Sequence, residues 1–60
     1  GVVPDYRAYL LDPDGHVIRR IDLNCAEERE AKEKAKQLVN GHDVELWDGG
    51  CLIEVFRHQA

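Results

Sequence analysis

The sequence predicts an α+β fold with the element order ββαββ, in which one four-stranded, mainly antiparallel sheet carries a single helix on one face. Two pairs of β-prone segments, each joined by a tight-turn signal, flank one segment with helical periodicity. A chain of 60 residues also leaves room for only one domain, because independent domains rarely contain fewer than about 50 residues. We therefore expect residues 1–60 to form a single ββαββ domain.

The first hairpin is predicted by the turn sequence Asp12–Gly15, which separates the β-prone segments Tyr6–Leu11 and Val17–Leu23. Proline presets the backbone of a type I turn, aspartate caps it, and glycine accepts the left-handed conformation that follows. The two aspartates also resemble the start of a calcium-binding loop, but such a loop ends on a glutamate. Leu23 occupies that position, so the sequence argues against calcium binding.

The helix is predicted to start at Asn24, because Asn24–Glu27 has the form of a capping box. Gly41 is expected to end it in the left-handed conformation. Over Cys25–Val39 the charges balance, with four acids and four bases, so the outer face offers no positive excess for a nucleic acid or a membrane. The apolar stripe expected to face the sheet consists of Ala31, Ala35, Leu38 and Val39.

The second hairpin is predicted by Asp48–Gly50, which joins the β-prone segments Val44–Trp47 and Cys51–Phe56. The helix returns the chain along the sheet, so the third strand should run in the same direction as the second. It could then pair antiparallel with the first strand or parallel with the second.

Side chains alternate across a strand, so each strand contributes to two faces. One face is almost wholly apolar and is expected to lie under the helix. Arg19 falls on this face, which a bulge after the first turn or a place at the rim would accommodate. The predicted core residues of the strands are Tyr6, Ala8, Leu10, Val17, Ile21, Leu23, Val44, Leu46, Ile53 and Val55.

The opposite face mixes aromatic and aliphatic side chains with arginine and glutamate, which is typical of an interface. Self-association would also support a core that is small for independent stability. A two-fold axis would let Arg7 or Arg20 of one copy meet Glu45 or Glu54 of the other. We therefore expect a homodimer through this face. The residues assigned to the interface are Arg7, Tyr9, Ile18, Arg20, Glu45, Trp47, Leu52, Glu54 and Phe56.

Two other interpretations of this face remain open. Trp47 and Phe56 could fold over the rim of their own sheet in a monomer. Alternatively, sheet aromatics beside arginine could stack on the bases of a single-stranded nucleic acid. The formal charge of −4 weighs against nucleic-acid binding, because a basic surface normally drives contact with phosphates. Outside the helix the sequence contains eight acids and only four arginines, so the negative excess lies in the strands and turns.

Catalytic, metal and redox functions have little support in the residues. The chain contains no serine or threonine, and its histidines and cysteines lack the spacing that places two ligands on one metal. Cys25 is the best candidate for a reactive thiol, because the first turn of a helix lowers a thiol pKa, although burial is the commoner fate of cysteine. With Cys25 and Cys51 as the only cysteines, reduced thiols are favoured over a disulfide. We predict a non-enzymatic protein without cofactor or metal.

Four segments carry a resemblance to a known family. They are Tyr6–Tyr9, Asp14–His16, Ala35–Val39 and Gly41–Trp47, the last reading GHDVELW. With these segments the chain resembles, over nearly its whole length, a family of very short alphaproteobacterial proteins, abundant in rhizobia, that has no assigned activity. The resemblance implies a bacterial, cytoplasmic, stand-alone domain and transfers no catalytic residue. The layout is also similar to partial RNase-H-like antitoxin domains, which implies a partner-binding role as a further alternative.

No apolar run approaches the roughly 18 residues of a membrane span, and the first ten residues lack the pattern of a secretory signal. We therefore expect a cytoplasmic protein without membrane association. The function that the sequence favours is a small protein-interaction module, with single-stranded nucleic-acid binding as the second choice.

Overall fold

The computed structural model describes residues 3–59 and shows one antiparallel sheet with a single helix in the order ββαββ, as the sequence predicts. The strand order in the sheet is β2-β1-β3-β4. The third strand therefore pairs antiparallel with β1 and not parallel with β2. The elements are β1 (Tyr6–Leu11), β2 (Val17–Leu23), α1 (Glu28–Gln37), β3 (Asp43–Asp48) and β4 (Cys51–Phe56). Within residues 3–59, no helix is both long and apolar enough to cross a membrane.

The first hairpin closes around the side chain of Asp12. Its Oδ1 accepts hydrogen bonds from the backbone N–H groups of Asp14 and His16, both at 2.9 Å. The N–H of Gly15 donates to the Asp12 carbonyl at 2.9 Å. Gly15 has a φ of 87°, a conformation that a side chain would strain. The predicted turn is therefore confirmed.

A bulge follows this turn and changes the face on which Val17 lies. Leu10 pairs with Arg19, whereas Leu11 pairs with Val17, so Ile18 is the extra residue of β2. Val17 thus shares the face of Leu11, away from the helix, and is 55% exposed. The prediction that Val17 belongs to the core is wrong. Arg19 keeps the register of the helix side at an exposed position.

A second bulge reverses the faces expected for the end of β4. Leu46 pairs with Glu54 and Trp47 pairs with Leu52, so Ile53 is the extra residue. Beyond it, Phe56 pairs with Val44 on the helix side of the sheet and is only 8% exposed. Three predictions are therefore wrong, because the alternation changes phase at Ile53. The residues concerned are Glu54 and Phe56, which lie on the helix side, and Val55, which pairs with Glu45 on the other side.

The helix begins later than the capping box predicts. It starts at Glu28, its N-cap is Glu27 in an extended conformation, and no side chain caps it. Cys25 is 8% exposed and belongs to the core cluster. We attribute the late start to this burial, because it draws the chain toward the sheet before the first turn can form. The prediction of a helix start at Asn24 is wrong.

The helix ends at Gln37, with Leu38 as its C-cap. The N–H groups of Leu38 and Val39 donate to the Ala35 and Lys36 carbonyls, at 3.0 and 3.2 Å, in a tighter final turn. Gly41 has the expected left-handed backbone, with a φ of 80°, but it lies in the loop to β3 and not directly after the last helical turn.

The core lies between the helix and the two central strands. Ala31 and Ala35 on the helix and Ala8 on β1 are fully buried. Their small side chains let the helix lie close to the sheet, where it packs on β1 and β3. Val44 and Leu46 supply the largest fully buried side chains. Within residues 3–59, the helix therefore covers one face of the sheet, and no other helix or strand packs on the opposite face.

Candidate interaction face of the sheet

The open face is defined here as the side of the sheet opposite the helix. Its membership follows from the strand register, because directly paired residues of antiparallel strands point to the same side. The open-face residues are Arg7, Tyr9, Leu11, Val17, Arg20, Asp22, Asp43, Glu45, Trp47, Leu52 and Val55.

Two aromatic rings and one carboxylate occupy the centre of the open face. The ring centroids of Tyr9 and Trp47 are 6.3 Å apart, with an interplanar angle of 88°. This edge-to-face arrangement is the favoured one for aromatic pairs. The indole Nε1–H of Trp47 donates to Oε1 of Glu45 at 3.0 Å. The indole is therefore held on the sheet surface and does not hang free at the rim.

An open groove of about 250 Å³ runs beside these rings. It combines apolar surface, two aromatic rings and one carboxylate, which suits a side chain with both apolar and cationic parts. The groove is lined by Tyr9, Val17, Glu45, Trp47 and Gly49.

The two arginines of the open face differ in how firmly they are held. The guanidinium of Arg7 lies 2.8 Å from Oδ2 of Asp5 and 4.0 Å from Oδ1 of Asp22, and the Arg7 side chain is 34% exposed. The pKa of Arg7 is raised, first by the side chain of Tyr9 and then by Asp5. Among residues 3–59 Arg20 makes one ionic contact, at 3.6 Å to Asp22, and its side chain is 56% exposed. Arg20 is therefore the freer of the two cations.

Glu45 is an acid without an ionic partner among residues 3–59. Among the salt bridges of residues 3–59, none within 4.0 Å includes the Glu45 carboxylate. Its only side-chain hydrogen bond in that part of the chain comes from Trp47. This half-buried carboxylate beside two aromatic rings could accept a cation from another molecule.

Aliphatic side chains surround the centre. Val17 is 55% exposed and Leu52 is 48% exposed. Ile18, at the bulge next to Val17, is 52% exposed. Exposed apolar side chains of this size, on both edge strands of a sheet face that carries two aromatic rings, are typical of interaction sites.

The structure brings six of the nine predicted interface residues together on the open face. Ile18 lies at the bulge, and the helix side holds the other two, Glu54 and Phe56. There Glu54 Oε1 lies 3.5 Å from Nζ of Lys32. Val17 and Val55 were missed, because a bulge changes the phase of alternation without leaving a signal in the sequence. The size of Phe56 is the one signal that favoured its burial. The six that lie on the open face are Arg7, Tyr9, Arg20, Glu45, Trp47 and Leu52.

Other reactive side chains lie outside this face. Asp12, Asp14 and His16 place possible ligand atoms within 4.8 Å of one another at the first turn. The turn itself uses Asp12, whose pKa is lowered chiefly by the hydrogen bond from the His16 backbone. Both cysteines are free, Cys25 buried and Cys51 exposed. Cys25 precedes the helix and does not lie in its first turn.

Comparison of the chain with protein-family models, curated proteins and solved structures finds no match. The open face is therefore interpreted from its own residues.

Proposed function

We propose that the chain is a small, non-enzymatic protein-interaction module that forms a homodimer through the open face. The observation that supports this most strongly is the arrangement of Tyr9 and Trp47, which lie side by side on an uncovered sheet and are flanked by exposed Val17 and Leu52. Aromatic residues and arginine are enriched in interfaces, and a second copy would remove this patch from water.

The size of the open face bears on the strength of the dimer. Four strands about 4.8 Å apart and about 20 Å long cover roughly 400 Å² per copy in projection. Two copies would bury about 800 Å² in projection, and somewhat more in accessible area, which is below the standard range of about 1,200–2,000 Å². We therefore expect a weak dimer that dissociates in the micromolar range.

We also propose that this module works in the bacterial cytoplasm. The exposed thiol of Cys51, together with the absence of a disulfide between the two cysteines, fits a reducing compartment. The resemblance to short alphaproteobacterial proteins supports the same setting.

Single-stranded nucleic-acid binding is the second candidate, because Tyr9 and Trp47 present aromatic surface beside two arginines. The charges disfavour it. Arg7 and Arg20 both contact acids of their own chain, and Glu45 would face the phosphates without a compensating cation. A binder of this class would need a surface with a positive excess.

The test compares two valine-to-aspartate variants by sedimentation across the micromolar range. Val17→Asp places a charge on the open face, whereas Val3→Asp makes the same change at a residue that is 84% exposed and outside the sheet. We expect the wild type and Val3→Asp to dimerise with similar affinity, and Val17→Asp to remain monomeric.

Three results would overturn the proposal. They are a wild type that stays monomeric throughout, equal weakening by the two variants, or salt-dependent quenching of Trp47 by oligothymidylate with no dimer present. The last result would establish the nucleic-acid alternative.

A further inference from the structure

The charges of the open face are ordered along its central row. Tyr9 is the direct partner of both Arg20 on β2 and Glu45 on β3, and Glu45 is the partner of Val55 on β4. Read across the strands, this row is positive at β2, aromatic at β1, negative at β3 and aliphatic at β4. A second copy laid on the face must match this order.

Two simple two-fold axes could relate a pair of sheets that meet face to face. An axis perpendicular to the strands would place each strand over its own copy, so Arg20 would face Arg20 and Glu45 would face Glu45. An axis parallel to the strands would place β2 over β4 and β1 over β3, so Arg20 of each copy would approach Glu45 and Val55 of the other. Because like charges in contact disfavour an interface, the charge order selects the parallel axis.

The side chains needed for a contact between Arg20 of one copy and Glu45 of the other are available. Arg20 is more than half exposed and its ionic contact in the described part of the chain is long, at 3.6 Å, whereas Arg7 is held at 2.8 Å by Asp5. Packed sheets lie about 10 Å apart, so an extended arginine reaches across most of the gap. The groove beside Tyr9, Trp47 and Glu45 lies on β1 and β3, and β3 is the neighbour of the β4 strand that Arg20 would face.

We infer that this groove accepts the guanidinium of Arg20 from a second copy of the chain, which pairs with Glu45 and lies against the aromatic rings. The inference rests on the proposed homodimer. Two-fold symmetry produces two such contacts in each dimer. The planar guanidinium suits the site, because it can bind a carboxylate and stack on an aromatic ring at the same time. The hydrogen bond that Trp47 Nε1–H donates to Glu45 already holds this carboxylate in place before a second copy binds.

The test reverses the charge at adjacent residues of β2. Arg20 lies on the open face, and Arg19 lies in the register of the helix side at an exposed position. Arg20→Glu and Arg19→Glu therefore change the net charge equally, and only the first removes the proposed contact. We expect Arg20→Glu and Glu45→Arg each to raise the dimer Kd at least about tenfold, and Arg19→Glu to leave it within about twofold.

Mixing Arg20→Glu with Glu45→Arg should then restore association, because each contact of the mixed dimer again joins opposite charges. Arg20→Gln and Arg19→Gln repeat the comparison without adding negative charge, should a reversed variant fold poorly. The inference is overturned if Arg20→Glu and Arg19→Glu behave alike, or if the mixture stays monomeric. If Val17→Asp abolishes the dimer while Arg20→Glu does not, the homodimer stands and the Arg20–Glu45 contact is wrong. A wild type that never dimerises overturns both.

Discussion

Tyr9 and Trp47 are diagonal neighbours on two paired strands, and their rings meet edge to face with centroids 6.3 Å apart. This contact keeps both rings on the uncovered side of the sheet, where Glu45 accepts the indole N–H at 3.0 Å. The alternative in which Trp47 and Phe56 fold over the rim of their own sheet does not hold for Phe56, which is buried on the helix side. The aromatic surface therefore lies where a second sheet could cover it.

Asp12 is expected to stabilise the first hairpin through its side chain. Asp12→Ala removes the acceptor for two backbone N–H groups, so we expect a fall of several degrees in Tm. Asp14→Ala is the matched control, because Asp14 contributes only its backbone to this turn. Equal effects of the two substitutions on thermal unfolding would contradict the assignment.

The pH dependence of stability should also report on Asp12. The lowered pKa of Asp12 means that its contribution is present above the ordinary aspartate pKa and is lost as pH falls through the lower folded value. The stability of Asp12→Asn should therefore fall less steeply than that of the wild type as pH drops below about 4. Urea unfolding midpoints measured across the acid range check this, and an unchanged slope would count against it.

Burial of Phe56 is the clearest consequence of the second bulge. Phe56→Ala should lower the free energy of unfolding by about 3 kcal/mol, a large part of the stability of so short a chain. Leu52→Ala, four residues earlier on the open face, should cost less than about 1 kcal/mol. Chemical denaturation of both variants, at a concentration too low for association, tests the register. A larger effect at Leu52 would place the bulge elsewhere.

The two glycines of the second turn should respond differently to alanine. Gly49 has a φ of 56°, whereas Gly50 is not among the glycines with positive φ. An added Cβ would meet no atom within 4 Å at either position, so backbone conformation alone separates them. Gly49→Ala should destabilise by about 1–2 kcal/mol, and Gly50→Ala should be neutral or stabilise by about 0.4–1 kcal/mol. Similar unfolding midpoints for the two variants would show that the backbone conformations of Gly49 and Gly50 do not differ in this way.

Tyr6 should limit stability at alkaline pH. Burial raises the pKa of its hydroxyl, with smaller contributions from nearby acids led by Asp48. The unfolded chain then loses this proton first, so stability is complete below the ordinary tyrosine pKa and falls as pH rises toward the folded value. Tyr6→Phe should flatten the alkaline limb of the unfolding profile. An identical limb in the wild type and the variant would contradict this account.

Local signals were sufficient to predict the element order and both hairpins. The residues around Gly15 and Gly49 determine their turns within a few positions of sequence, and both glycines have the positive φ that such turns need. The two central alanines of the helix are likewise buried, as its apolar periodicity predicts.

The composition of the open face was harder to predict, because it depends on two bulges. One bulge inserts Ile18 into β2 and moves Val17 to the open face. The other inserts Ile53 into β4 and exchanges the two faces for residues 54–56. Burial of Phe56 in the core stabilises the second bulge. This stabilisation depends on packing against strands that are distant in sequence, so no local pattern around Ile53 predicts it. The start of the helix was missed for a similar reason, because burial of Cys25 overrides the local capping signal.

The emission of Trp47, the only tryptophan of the chain, tests the homodimer most directly when it is followed on dilution together with the mass in solution. We expect a red shift as the proposed dimer dissociates, with the same midpoint in both measurements, because a second copy on the open face would cover the indole. Emission that is constant across a mass transition would place the interface elsewhere. A monomer at every concentration, with an unchanging spectrum, would contradict the central claim.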